Sequence, residues 1–255
     1  MPAMDIVWVA LASTLAGFID AIVGGGGLIM VPSLFAAFPN SAPAALFGLN
    51  KSVSVWGTSM AAWQYQRRVA VAWTAWLPAA LAGFAFAFLG AWAVTQIPAD
   101  FLRRALPLIL LGVLVYTVVK KDLGQQHQPR FNGRRETAVA FLIGATIGFY
   151  DGFFGPGTGS FLVFLFVRVL GYDFLRASAS AKLINVSTNL AALLLFASQG
   201  LVDGSLALPL AACNVLGSFA GSRLALRHGT GFVRWVFIAV VSALILKTGF
   251  DAYGA

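Results

Sequence analysis

The first half of the chain recurs in the second at an offset of 131 residues, and the coinciding positions are those an apolar helix tolerates least. Gly17-Phe18-Ile19-Asp20 returns as Gly148-Phe149-Tyr150-Asp151, Gly24 and Gly26 return as Gly155 and Gly157, and Lys51 returns as Lys182. Without a gap, Leu77-Pro78 then meets Leu208-Pro209, Gly90 meets Gly221, and Phe101-Leu102-Arg103 meets Phe232-Val233-Arg234. Shared apolar positions are what any two helices would give. A shared Asp, Lys and Gly-rich break costs stability inside hydrophobic sequence, so its repetition marks a polar interior built twice and not lipid-facing filler.

Of the 255 residues, 59% are hydrophobic and 10% charged, against about 25% charged in a soluble domain. The chain is therefore expected to be an integral membrane protein. Its apolar runs are helix-length stretches of Leu, Ala, Val, Phe and Gly, which excludes the short alternating strands of a barrel. The opening Met1-Pro2-Ala3-Met4-Asp5 has no basic region, so the first apolar run reads as a retained segment and not a cleaved signal. The net charge of +8 collects in the connections, where it serves as a topology signal and favours anionic lipid headgroups. With no soluble basic domain to hold it, nucleic acid is not an expected partner. The single Cys213 excludes an intramolecular disulfide or a CxxC site. His127 and His228 fall in predicted connections, so no metal, haem or other cofactor is expected.

Apolar segments run 5–23, 28–38, 45–66, 70–95 and 102–119, then 137–154, 160–170, 176–199, 204–222 and 232–250. This gives one all-α transporter-like domain of about 8–10 membrane segments, divided into a first repeat (1–119), a basic linker (120–136) and a second repeat (137–255). Segments 28–38 and 160–170 hold 11 residues each, whereas a spanning helix needs about 20. Both follow Gly-rich breaks, Gly24-Gly25-Gly26-Gly27 and Gly155-Pro156-Gly157-Thr158-Gly159. Irregular backbone survives at membrane depth only where protein or water satisfies it, and broken segments at matching positions of two halves point to a transporter's binding site.

Charge orients the halves. With the linker (Lys120, Lys121, Arg130, Arg134, Arg135) in the cytoplasm and the halves inverted, Arg67, Arg68, Arg168, Arg176, Arg223 and Arg227 all fall inside and Asp203 falls outside. Arg103 and Arg104 disagree; a parallel arrangement would put four of the arginines on the wrong side. Inverted repeats are expected. Inversion needs an odd number of crossings per half, and two forms remain open: both early segments cross, or together they form a re-entrant hairpin before three full spans.

Each Gly-rich break leads into a short helix whose first N–H groups and dipole favour an anion, and glycine lets the backbone approach a ligand closely. Tight helix packing through small residues is the competing account. Lys51, Ser54 and Thr58, and in the second half Lys182, Asn185 and Asn189, share one helical face each and could line a polar path; ordinary interhelical hydrogen bonding is the alternative. Asp20 and Asp151, one turn before the breaks, are candidates for carrying protons or for pairing with a lysine of either repeat. Arg103 and Arg234 read as anchors of segment ends, Pro78 and Pro209 as helix starts or kinks, and Gly217 with Gly221 as a packing face.

At these residues the chain resembles the sulfite exporter TauE/SafE family of membrane permeases. The resemblance covers nearly the whole chain and is most specific at Gly17 to Pro32, at Leu49-Asn50-Lys51-Ser52, at Ala181 to Asn189 and at Gly221-Ser222-Arg223. Pro156 and Thr158 depart from a plain glycine run. The resemblance implies a permease for small anions, with sulfite and organosulfonates as namesakes, in the bacterial inner membrane. Together with the residues, it points to a secondary exporter of a small sulfur-containing oxyanion, bound by Gly24 to Gly27, Asn50, Lys51, Ser54, Thr58, Gly155 to Gly159, Lys182, Asn185 and Asn189. A passive anion channel using the same residues is the alternative, and no enzyme chemistry is expected. Cargo, direction, coupling ion and homo-oligomerisation are left open at this point.

Overall fold

The computed structural model describes the backbone of residues 3–105, 108, 112 and 127–253, with side chains of 3–5 and 229–253 excluded. Among these residues every regular element is an α-helix. In chain order they are α1 (Ala3–Val23), α2 (Gly27–Ala37), α3 (Pro43–Gln66), α4 (Trp73–Thr95), α5 (Arg134–Phe153), α6 (Thr158–Arg168), α7 (Phe174–Ser198) and α8 (Gly204–Tyr253). A further helical stretch begins at 99; most of the expected span 102–119 and the first part of the linker lie outside the described residues.

Local chemistry explains most boundaries. Pro43 opens α3, where its fixed φ suits the first turn and its missing N–H costs nothing. The Asp173 carboxylate accepts from the Arg176 N–H at 3.0 Å and caps α7. Gly24 at φ 80°, and Gly155 and Gly157 at 94° and 82°, occupy backbone that L side chains rarely adopt, so the chain leaves helix there twice. Pro78 and Pro209 sit at matching positions in the second turn of α4 and α8, inside the helices.

The two 11-residue helices are the returning arms of hairpins. Gly26 lies against Ala16, and Met30 and Leu34 share a core with Ala16 and Val9, so α2 doubles back along α1. In the second half Leu162, Val163 and Phe166 pack in one core with Ile143 and Ala140, and α6 doubles back along α5. Eleven residues rise only ~16 Å, short of the ~30 Å hydrocarbon core. Helix α1 is long and apolar enough to span, whereas α2 and α6 are not.

The halves interlock. Along α1 and α8, Ser13 donates to Leu210 O, Gly17 lies on Asn214, and Gly221 lies on Phe18, so these helices run the same way. Gly144, Gly148 and Gly152 of α5 lie on Ala79, Gly83 and Ala87 of α4, again in parallel. At the centre α3 and α7 cross in opposite directions, since Lys51 meets Asn189 whereas Gly48 meets Phe196. Small residues set these distances, because lipid supplies no hydrophobic drive between helices and close backbone approach must do the work. A Cβ on Gly148 would lie 2.6 Å from Gly83 backbone atoms. Gly148→Leu is therefore expected to lower the melting temperature of purified protein sharply and cut its monodisperse yield. Gly204→Leu, which meets nothing within 4 Å, is expected to leave both near wild type.

The basic connections gather at one end. The N–H groups of Gln128 and Arg130 bond to Gly171 O and Leu170 O, and Thr137 Oγ1 bonds to Thr74 O. This brings the linker, the starts of α4 and α5 and the end of α6 together. Gln64, near the end of α3, reaches Ser222 on α8 at 2.7 Å. At the other end the Arg103 guanidinium holds Ser41 O and lies over the Phe35 ring, an anchoring role; the Arg234 side chain lies outside the described residues.

Four stretches, Ile6–Val23, Trp73–Thr95, Phe174–Ser198 and Gly204–His228, are long and apolar enough to cross a membrane. Their outward faces carry Trp8, Leu11, Leu81, Trp92 and Leu208, all exposed, as a lipid-facing surface requires. Helix α3 matches them in length, but its buried Asn50, Lys51, Ser52 and Thr58 replace apolar residues. One expectation needs correction. The segments 204–222 and 232–250 are not separate elements but one continuous helix, α8. No proline follows Pro209 in this stretch, and the glycines at 229 and 231 weaken a helix without ending it.

Candidate functional site

The two glycine breaks meet at the centre of the molecule. Gly24 and Gly159 lie backbone to backbone, Ser160 N donates to Gly24 O at 3.1 Å, and Ser160 Oγ donates to Val23 O at 2.9 Å. Gly27 faces Pro156. Tyr150 Oη donates to Pro156 O at 2.6 Å and Tyr65 Oη to Ala21 O at 3.2 Å, steadying both turns from outside.

Beside this junction Lys51 of α3 points across to the other half. Its Nζ lies 2.7 Å from Asp151 Oδ1 and donates to Asn189 Oδ1 at 3.1 Å. Both partners of the ion pair are 2% exposed, so this is a fully desolvated pair, which persists only when further hydrogen bonds support it. Thr158 supplies one, donating to Asp151 Oδ1 at 2.7 Å. Asp151 Oδ2 is buried and has no hydrogen-bond partner among the described residues.

The mirror position differs. Lys182 is as buried as Lys51, but its Nζ donates to the backbone carbonyl of Asp20 and not to the carboxylate. The Asp20 side chain accepts instead from Gly26 N on Oδ1 and from Thr58 Oγ1 on Oδ2, both at 3.3 Å. An internal carboxylate thus occupies the positive end of α2, the place the sequence assigned to a bound anion.

A polar cavity opens at this junction, enclosing about 280 Å³ of empty space, part of it continuous with the outside. The space a water-sized sphere can enter is only about 20 Å³, room for about one water molecule, so the site is nearly closed in this state. Asp20, Gly24, Gly27, Asn50, Lys51, Ser54 and Thr58 line it from the first half. The second half contributes Asp151, Gly155, Thr158, Gly159, Asn185 and Asn189. Five expected positions stand behind the wall: Gly25, Gly26, Pro156, Gly157 and Lys182. The two polar stripes nevertheless face one another, and Asn189 Nδ2 donates to Asn185 Oδ1 at 3.3 Å along theirs. Among the described residues no group of three or more metal-ligating side chains is present.

Comparison with known proteins agrees with this architecture. Residues 9–248 match the family described as sulfite exporter TauE/SafE. The chain belongs to this family. It is 36% identical over 245 residues to a probable membrane transporter protein of Sinorhizobium sp, covering 95% of this chain and 91% of the relative. It is 35% identical over 241 residues to the probable membrane transporter protein YfcA of Escherichia coli, covering 94% and 88%. A probable membrane transporter protein of Haemophilus influenzae is 30% identical over 245 residues, covering 93% and 91%. No solved structure matches. A TauE/SafE chain of this kind is a membrane transporter.

One polar residue of this TauE/SafE chain escaped the sequence reading. Asn214 of α8 is buried against Gly57, and its Nδ2 donates to Ser13 O at 2.9 Å, joining α1, α3 and α8 behind the site. It aligns with Gly83 in the first half, so the repeat comparison carried no signal for it.

Proposed function

We propose that this transporter exports a small sulfur-containing oxyanion, sulfite or an organosulfonate, and that the central cavity is its binding site. One observation carries the reading: a fully buried ammonium, Lys51, reaches a small polar cavity between two glycine turns. Amide and hydroxyl donors on Asn50, Ser54, Thr58, Thr158, Asn185 and Asn189 complete a shell suited to several anion oxygens. The family match supports the substrate class. The helix directions support inverted repeats, with 1–119 and 137–255 as the two halves and 120–136 as a cytoplasmic linker in the bacterial inner membrane. Alternating access then follows from rocking one half against the other around a fixed central site.

Purified protein is expected to be stabilised by sulfite or a sulfonate in a thermal-shift series that also contains thiosulfate, taurine and sulfate. A ligand at a hundredfold excess over its Kd contributes about 2.7 kcal/mol, a readily measured rise in melting temperature. No rise with any of these anions would count against the substrate class. Saturable flux in proteoliposomes supports a carrier; large ohmic currents would instead make the protein a passive channel.

A further inference from the structure

We infer that Asp151, and not Asp20, is the residue that carries a proton together with the anion, the Lys51–Asp151 ion pair standing in for cargo in the empty transporter. The inference rests on the anion-transport reading above and adds the coupling ion and its sign.

The two carboxylates differ in one decisive way. Asp20 has both oxygens engaged by donors, Gly26 N–H and Thr58 O–H, that suit the ionised form. Among the described residues no lysine pairs with its carboxylate within ion-pair distance, and Lys182 bonds to the Asp20 backbone carbonyl instead. Asp151 concentrates its partners on Oδ1, which receives Lys51 and Thr158. Its Oδ2 is buried beside the cavity with no partner among the described residues. A proton on Oδ2 turns that unpartnered acceptor into a donor on a residue that lines the cavity.

The exchange balances. In the empty state Lys51 and Asp151 cancel. An anion entering the cavity competes with Asp151 for Lys51, and breaking the ion pair leaves a desolvated carboxylate without its counter-charge. A proton from the aqueous side to which the cavity opens forms an O–H bond at Oδ2 and removes that charge. The loaded site then holds one ammonium, one neutral acid and one anion, so a monovalent anion leaves the site's net charge unchanged. Release reverses each step. Among the described residues, the other charged or titratable groups leave this count unchanged. From α3 only Lys51 faces Asp151; α7 brings Lys182, held by the Asp20 carbonyl, and α1 brings Asp20. Helices α2 and α4 carry no charged residue, Arg168 of α6 lies at the far end of that helix, and Tyr150 on α5 is bonded to Pro156 O. The sign follows: proton and anion move together, so acid outside drives uptake and opposes export, and export runs down the cargo's own gradient.

Proteoliposomes containing the full chain and a luminal pH dye test this with radiolabelled isethionate and, separately, sulfite; the sulfonate stays ionised, so its pH response belongs to the protein. Wild type is expected to accumulate anion when the exterior is acid, by about tenfold per pH unit for one proton per anion, and to acidify the lumen as it does so. Asp151→Asn is expected to lose gradient-driven accumulation and the luminal signal, with the remaining anion-for-anion exchange independent of pH. Asp20→Asn is expected to keep the luminal signal in whatever flux it retains. Uptake of anion by wild type without luminal acidification would overturn the inference while leaving anion transport intact, and this needs no variant to fold. Gradient-driven accumulation that survives in Asp151→Asn would overturn it equally. Failure of wild type to move either anion would remove the transport reading and the inference with it.

Discussion

Replacing Lys51 by methionine is expected to abolish anion flux and to destabilise the protein at the same time, and the two losses have separable causes. Methionine keeps most of the side-chain volume, so packing changes little. What remains is Asp151, buried and charged, with Thr158 as its one other donor among the described residues. Breaking a buried pair by removing one partner costs about 3–5 kcal/mol, whereas removing both is often neutral. The double variant Lys51→Met with Asp151→Asn is therefore expected to recover most of the melting temperature lost in Lys51→Met, yet to remain without flux. A double variant that regained transport would show that the ammonium is structural and plays no part in binding. The asymmetry between the repeats makes a second comparison informative. Lys182→Met removes a donor from a backbone carbonyl and breaks no carboxylate pair, so it is expected to destabilise less than Lys51→Met.

The second large effect is at the glycine junction. Gly24→Ala places a methyl group against the Gly159 backbone, with Gly159 Cα at 2.6 Å, in a residue held at φ 80°. The backbone conformation alone costs a non-glycine residue on the order of 1–3 kcal/mol, and the collision is with backbone, which cannot rotate away. Because the contact joins the two halves at the cavity, the expected result is loss of flux and of anion-induced stabilisation, with a lower melting temperature. Gly133→Ala provides the control: φ is 56° but nothing lies within 4 Å. Its cost is expected to be confined to backbone strain, with anion response preserved. Equal behaviour of the two variants would mean that the glycine junction does not hold the site together.

The fold was legible in the sequence to the extent that duplicated features report function and not packing. Asp20 with Asp151, Lys51 with Lys182 and the two breaks are costly inside apolar sequence, so their recurrence located the centre of the molecule before any geometry was known. Element lengths separated the hairpin arms from the spanning helices, because 11 residues cannot cover the membrane core. The pairing pattern was not legible. Register suggested that the lysines are equivalent, but equivalence in sequence becomes equivalence in contacts only where the surroundings also repeat. Thr158 stands where the first half has Gly27. That difference draws Asp151 into a bonded cluster with Lys51, while Asp20 turns to Gly26 and Thr58. The positive end of α2 was likewise read as free for an anion, which no local rule could correct, since its occupant comes from the preceding turn of the hairpin. The continuity of α8 was missed because glycines and charges at 227–231 resemble a connection, although nothing there forbids a helix.

Determining the structure in the presence of selenite, a heavier oxyanion of sulfite-like shape whose selenium can be located by anomalous scattering, addresses the central claim most directly. The account predicts one buried selenium site in the cavity between Lys51, Asn185 and Asn189, with Lys51 Nζ turned from Asp151 toward the anion. Selenium found only at the protein surface, or a cavity site occupied while the Lys51–Asp151 pair stays closed at its present 2.7 Å, would contradict it.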